Sequence, residues 1–263
     1  MRGAFNRMLQ LPAECRGVVA HSSGNHARAV AHAGRVLAIP TTIVVPSTIP
    51  AAKREPVVED GATVVTVGPD SEERKERALE IAARDGLSLV APYDDFEVMA
   101  GQGTMVVELL EDAGALDRLY APVSGGGLIA GCATAFSALG GGEVIGVEPE
   151  SAADTRRSLA AGRRVSIPPP ETIADGLCVR IPGEKTWPIV QALVSRVETV
   201  TDEEIRDAMA FALHRLKLVV EPSGAASLAC ALREAKGGCG VILSGGNIEP
   251  TLLAEVAGGP RRW

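Results

Sequence analysis

Positive charge is in short supply. The chain carries 26 lysines and arginines against 33 aspartates and glutamates, a net charge of −7 over 263 residues. Phosphate backbones and anionic lipid surfaces demand a positive field, so neither a nucleic acid nor a membrane surface is expected as a partner. Paired cysteines are missing too. Cys15, Cys132, Cys178, Cys230 and Cys239 are dispersed with no CxxC among them. That excludes a disulfide framework and a zinc site, and the expected setting is the reducing cytoplasm. No signal-peptide pattern opens the chain, because Arg2, Asn6, Arg7, Gln10 and Glu14 interrupt every apolar run. The most apolar stretch, Leu119 to Leu139, is rich in Gly, Ser and Ala and contains Pro122, which argues against a transmembrane span. Internal repeats and low-complexity tracts are absent.

What is present is alternation. Short apolar runs at Val18–Ala20, Thr42–Val45, Thr63–Val67, Leu87–Val90, Leu119–Val123, Val144–Val147 and Gly240–Leu243 read as strands. Between them, Asn25–Arg35, Ala51–Asp60, Ser71–Asp85, Phe96–Glu111, Ile129–Leu139 and Gly224–Ala235 read as helices, with Ser71 and Ser223 as N-caps. Thr201-Asp202-Glu203-Glu204 is a capping box that opens a helix reaching about Lys217. Repeated βα units imply parallel sheets covered by helices. The chain starts as though already inside a helix, with no cap or strand before it.

Strand 119–123 runs straight into Ser124-Gly125-Gly126-Gly127-Leu128 and then a helix. Consecutive glycines allow positive φ and let several N–H groups converge, and the helix start adds partial positive charge. The turn therefore suits a phosphate. A dinucleotide reading competes with it. Gly125-x-Gly127-x-x-Ala130 approximates the Rossmann fingerprint, and Glu148, 23 positions after Gly125, stands where a ribose-binding acid is expected. Two further loops bear on the choice. His21-Ser22-Ser23-Gly24-Asn25-His26 and Leu243-Ser244-Gly245-Gly246-Asn247 also follow strands, and a dinucleotide enzyme would need only one such loop.

Arg2-Gly3-Ala4, the SSGNH and SGGGL loops, Glu171-Thr172-Ile173-Ala174-Asp175-Gly176 and LSGGN occur in an order that resembles the fold-type II pyridoxal-phosphate enzymes. Within them the threonine dehydratase and serine racemase group is most similar, and Thr186-Trp187-Pro188-Ile189 and Glu221-Pro222-Ser223-Gly224 extend the likeness. The resemblance implies an α/β fold of the tryptophan synthase β-like kind, with two parallel-sheet, three-layer domains and an incomplete N-terminus. Residues 15–97 would form the small domain, and 1–14 with 98–263 the large one. Pyridoxal 5′-phosphate would be the cofactor. Its phosphate would lie on the backbone N–H groups of Ser124, Gly125, Gly126, Gly127 and Leu128. Asn25 would bond the ring 3′-oxygen, and Ser244 would face the pyridine nitrogen. A hydroxyl there tempers the electron sink and favours elimination and racemisation over transamination. Ser22, Ser23, Gly24 and His26 would bind the substrate carboxylate, with Ser23 placed to deliver a proton to the face of Cα opposite the lysine.

The resemblance also implies a divalent cation, Mg²⁺, Mn²⁺ or Ca²⁺, on Glu148, the Ala152 carbonyl and Asp154; the alternative is that they are two surface acids stabilising a helix start. His21 and His26 have no visible acid–base partner and read as structural hydrogen-bonders. The family's Schiff-base lysine sits two positions before the arginine of the RGA motif, which puts it immediately before Met1. Lys53, Lys75, Lys185, Lys217 and Lys236 lie elsewhere, in polar segments. The expected activity is β-elimination of L-threonine or L-serine to a 2-oxo acid and ammonia, with this 263-residue chain itself inactive for want of the amine. Serine racemisation is the alternative within the same chemistry. A catalytically dead cofactor-binding module or an NAD-binding protein are the alternatives outside it. A homodimer is expected.

Overall fold

The computed structural model describes residues 1–22, 24–68 and 71–259. The chain divides into two compact units, one spanning Met1–Gly101 and the other beginning at Gln102.

In the first unit, strands β1 (Val18–His21), β2 (Thr41–Pro46), β3 (Thr63–Val67) and β4 (Ser88–Leu89) form one sheet in the order β3-β2-β1-β4. Every pairing is parallel, with His21 opposite Val44 at the C-terminal end of the central pair. Side chains alternate across a strand, so a sheet covered on both faces needs apolar residues at consecutive positions. β1 shows this directly. Val18 and Ala20 pack with residues of α1 (Arg2–Leu9), α2 (Asn25–Leu37) and α3 (Ala51–Glu59), whereas Val19 packs with Ala78 and Ile81 of α4 (Ser71–Asp85). The result is three layers.

The second unit repeats the plan. Strands β5 (Arg118–Pro122), β6 (Glu143–Pro149), β7 (Arg196–Val200) and β8 (Cys239–Val241) pair in the order β7-β6-β5-β8, all parallel. Helix α5 (Phe96–Ala113) precedes them, and α6 (Gly127–Ala138), α7 (Asp154–Ala161), α8 (Thr186–Leu193), α9 (Asp202–Phe211), α10 (Pro222–Glu234) and α11 (Pro250–Gly258) follow in turn. Tyr120, Ile145 and Val147 meet Ile205, Met209, Ala225, Ala226 and Ala229 of α9 and α10 on one face. On the other, Gly146 lets α6 approach: a Cβ there would stand 2.7 Å from Val123 and 3.1 Å from Ile129.

Several sequence expectations need correction. Ser223 is not the cap of its helix. Glu221 occupies that position, Pro222 begins the helix, and the Ser223 hydroxyl bonds elsewhere. The helix after Thr201 is α-helical only to Phe211, then widens into one π-helical turn, Ala212–Leu216, and ends at Lys217 with φ 61°. Strand β7 and helices α8 and α11 add to the elements expected from the sequence. The capping box is present as expected, Glu204 N–H donating to Thr201 Oγ1 and Thr201 N–H to Glu204 Oε2. Ser71 opens α4, but its side chain lies outside the described residues. No helix among the described residues is long and apolar enough to cross a membrane.

Candidate active site

The 124–128 turn joins the C-terminal end of β5 to α6. Ser124 has φ 53° and Gly126 φ 92°, whereas Gly125 and Gly127 are not in the positive region. Alternation of this kind curls successive N–H groups into one concavity, an arrangement that receives anions. Gly126 caps α6 and has no side chain with which to satisfy its first turn. The Gly126 N–H itself donates to Val123 O at 3.1 Å, and the ladder of α6 begins with Ala130 N–H donating to Gly126 O at 2.8 Å. Among the described residues, the N–H groups of Gly125, Gly127 and Leu128 donate to nothing in the protein. A phosphate held by these three amides at the positive end of α6 fits the cradle. Gly126 N–H, by contrast, is already engaged.

Strand β8 lies beside β5, so the loop after it opens next to the glycine turn. Its Ser244 is exposed, and the hydroxyl meets no other described group. It is available to a ligand as a neutral donor or acceptor. The segment expected from the ETIADG motif also converges here. Asp202, at the start of α9, accepts from Thr172 Oγ1 at 2.5 Å and from Ile173 N–H at 3.1 Å. Ser223 accepts from Gly176 N–H at 2.9 Å, and Gly176 O accepts from the Ser124 hydroxyl at 3.1 Å. On the opposite flank, Thr186 Oγ1 donates to Gly125 O at 2.7 Å. Sequence reasoning singled out none of Thr186, Gly176 or Ser223 as supporting the loop, although each sits in a quoted motif.

In the first unit, the turn after β1 leads into α2. Ser22 Oγ accepts from Gly24 N–H at 3.2 Å. Asn25 is the first residue of α2 and is exposed. Ser23, the expected proton donor, lies outside the described residues. His26 Nε2 is 2.9 Å from Val90 O, which assigns the proton to that nitrogen. Burial pushes the imidazole down to about 4, against a partial rise from the Val90 bond. His21 is likewise pushed down to about 4, first by burial and then by the positive charge of His26, Arg74 and Lys75. Both rings are neutral at pH 7.

Glu148 and Asp154, read as surface acids in the alternative to a metal site, are fully buried. Glu148 Oε1 accepts from Thr155 N–H and Oε2 from Arg156 N–H, both at 3.0 Å, so the carboxylate caps α7. The side chain is buried and turned onto the start of α7, a position that accounts for this acid without a ribose and weakens the support for a dinucleotide. Asp154 Oδ1 and Oδ2 are buried and accept no hydrogen bond. Burial raises the pKa of both acids, and the charge of Glu148 adds to the rise at Asp154. No group of three or more His, Cys, Asp or Glu side chains is placed for a metal among the described residues. The acids here are the pair Glu148 and Asp154, and Ala152 ends the short turn between them.

Residues 1–245 match the family described as Pyridoxal-phosphate dependent enzyme. Over 265 residues the chain is 41% identical to L-threo-3-hydroxyaspartate ammonia-lyase of Saccharomyces cerevisiae, covering 98% of this chain and 81% of that one. The structure of maize serine racemase superposes with a TM-score of 0.92 at 39% identity, covering 97% of this chain and 80% of the other. The threonine deaminase of T.th. does so with a TM-score of 0.90 at 41% identity, covering 94% and 82%. With the phosphate cradle, the twin parallel sheets and the motif order in agreement, the chain belongs to the fold-type II pyridoxal-phosphate-dependent enzymes.

Proposed function

We propose that the protein serves as a pyridoxal-phosphate-dependent ammonia-lyase for a small β-hydroxy amino acid, with L-threonine and L-serine as the first substrates to try. The observation that supports this most is the pairing, at adjacent strand ends, of an anion-cradling turn with a neutral hydroxyl at Ser244. When bound, the cofactor supplies an electron sink for the negative charge left at Cα once its proton is removed. The Gly125, Gly127 and Leu128 N–H groups would hold its phosphate. Ser244 would face the ring nitrogen as a neutral hydroxyl, which would keep the sink mild and favour loss of the β-hydroxyl over amine transfer. By the resemblance, Asn25 would bond the ring oxygen, and Ser22, Ser23, Gly24 and the backbone N–H of His26 would orient the substrate carboxylate.

The Cα proton requires a base, and the resemblance assigns it to a lysine directly before residue 1. The role of that lysine is read by assaying residues 1–263 with and without it: cofactor binding is expected in both, ammonia release only where the lysine is present. A version with lysine placed immediately before residue 1 is expected to deaminate. Ammonia release from L-threonine or L-serine by the 263-residue chain would overturn this assignment. The name of the yeast relative favours a second substrate, so L-threo-3-hydroxyaspartate belongs in the same assay. D-serine formed by the lysine-bearing version, and lost in Ser23→Ala, would mark racemisation.

The unpartnered Asp154 oxygens also support a divalent cation held with Glu148 and the Ala152 carbonyl. Mg²⁺ or Ca²⁺ is expected to raise the thermal midpoint of the wild type and to leave Asp154→Asn unmoved. An equal rise in both proteins would assign the effect to another site.

A further inference from the structure

A loop that presents N–H groups to an anion must turn its carbonyl oxygens the other way, and each needs a donor there. The carbonyl at stake is Gly125 O. It accepts from Thr186 Oγ1 at 2.7 Å and from Gly183 N–H at 3.2 Å, both at the entry to α8. Thr186 is fully buried. Its side chain also fills the space beside the loop: a Cβ on Gly126 would stand 2.8 Å from Thr186 Oγ1 and 2.9 Å from its Cβ. The same peptide is held at its other end, where Gly126 N–H donates to Val123 O.

We propose that Thr186 is the positioning residue of the phosphate loop. Its hydroxyl locks the 125–126 peptide with the carbonyl facing inward, so that the amides of Gly125, Gly127 and Leu128 stay aimed outward. Rotation of that peptide would turn a carbonyl dipole towards the phosphate and spoil the cradle. The inference rests on the pyridoxal phosphate reading and adds to it a residue that touches neither cofactor nor substrate.

The test compares two ligands that differ only in the phosphate. Wild type, Thr186→Val and Thr186→Ser are titrated with pyridoxal phosphate and with pyridoxal, followed by cofactor absorbance and fluorescence. Loss of one buried hydrogen bond is expected to weaken pyridoxal phosphate about tenfold in Thr186→Val. Pyridoxal affinity should be unchanged, and Thr186→Ser should behave as wild type. The ³¹P resonance of the bound cofactor should move in Thr186→Val alone. Equal weakening of both ligands, or none, would overturn the proposal. If circular dichroism shows Thr186→Val to be unfolded, Thr186→Cys, which keeps a weak donor, carries the same comparison. A wild-type protein that binds neither ligand overturns the cofactor reading and this inference with it.

Discussion

Ser124 holds a left-handed backbone conformation, at φ 53°, that costs an L-residue roughly 1–2 kcal/mol. Its hydroxyl offsets part of that by donating to Gly176 O, a bond with a net value of about 1 kcal/mol. Replacement by glycine removes the strain and the bond together, so Ser124→Gly should leave stability within about 1 kcal/mol of wild type. Two residues on, the balance is different. Gly126 sits at φ 92° and faces Thr186 at close range, so an added methyl meets both backbone strain and a buried neighbour. Gly126→Ala should cost about 2–4 kcal/mol. Urea unfolding of the two variants separates them, and equal losses would mean that the Thr186 contact does not restrict the loop.

At the level of elements, the capping box at α9 is the most isolated test of local physics. Thr201 Oγ1 accepts from Glu204 N–H at 3.1 Å, and Glu204 reaches back to Thr201 N–H at 2.7 Å. Burial pushes the Glu204 carboxyl up, but these bonds and Arg233, at 2.9 Å, leave it below the usual glutamate range. Thr201→Ala should therefore cost about 1 kcal/mol, read as a lowered urea midpoint with an unchanged slope. That box is legible in the sequence because its signal is local. So are the apolar strands and the glycine turn, whose residue types state their own backbone needs. Strand β7 is not legible, because Arg196 and Glu198 alternate with Val197 on a sheet edge, where Arg196 pairs with Glu143, Glu198 and Glu234. Helix α8 is masked by Pro188 in its first turn. The roles of Ser223 and Thr186 depend on partners 47 and 61 positions away, and no local pattern carries such pairings.

Over the whole molecule, the neutral histidines set the acid limb of stability. His21 and His26 have an ordinary value of 6.5 and are pushed down to about 4 in the fold, chiefly by burial. Between those two values the unfolded chain binds more protons than the folded one, so stability rises with pH across the window. It is complete above about 6.5 and is lost as pH falls towards about 4. Asp60 acts in a lower range. Burial pushes its carboxyl up, but Arg35 and His32 bring it below the usual value, so its contribution is lost on further acidification. The thermal midpoint should thus fall as pH drops from 6.5 to about 4, before the carboxylates dominate. His26→Gln can still donate to Val90 O while carrying no titratable group, and should flatten part of that slope. An unchanged slope in His26→Gln would mean that the ring is already solvated in the folded protein and that burial does not hold it neutral.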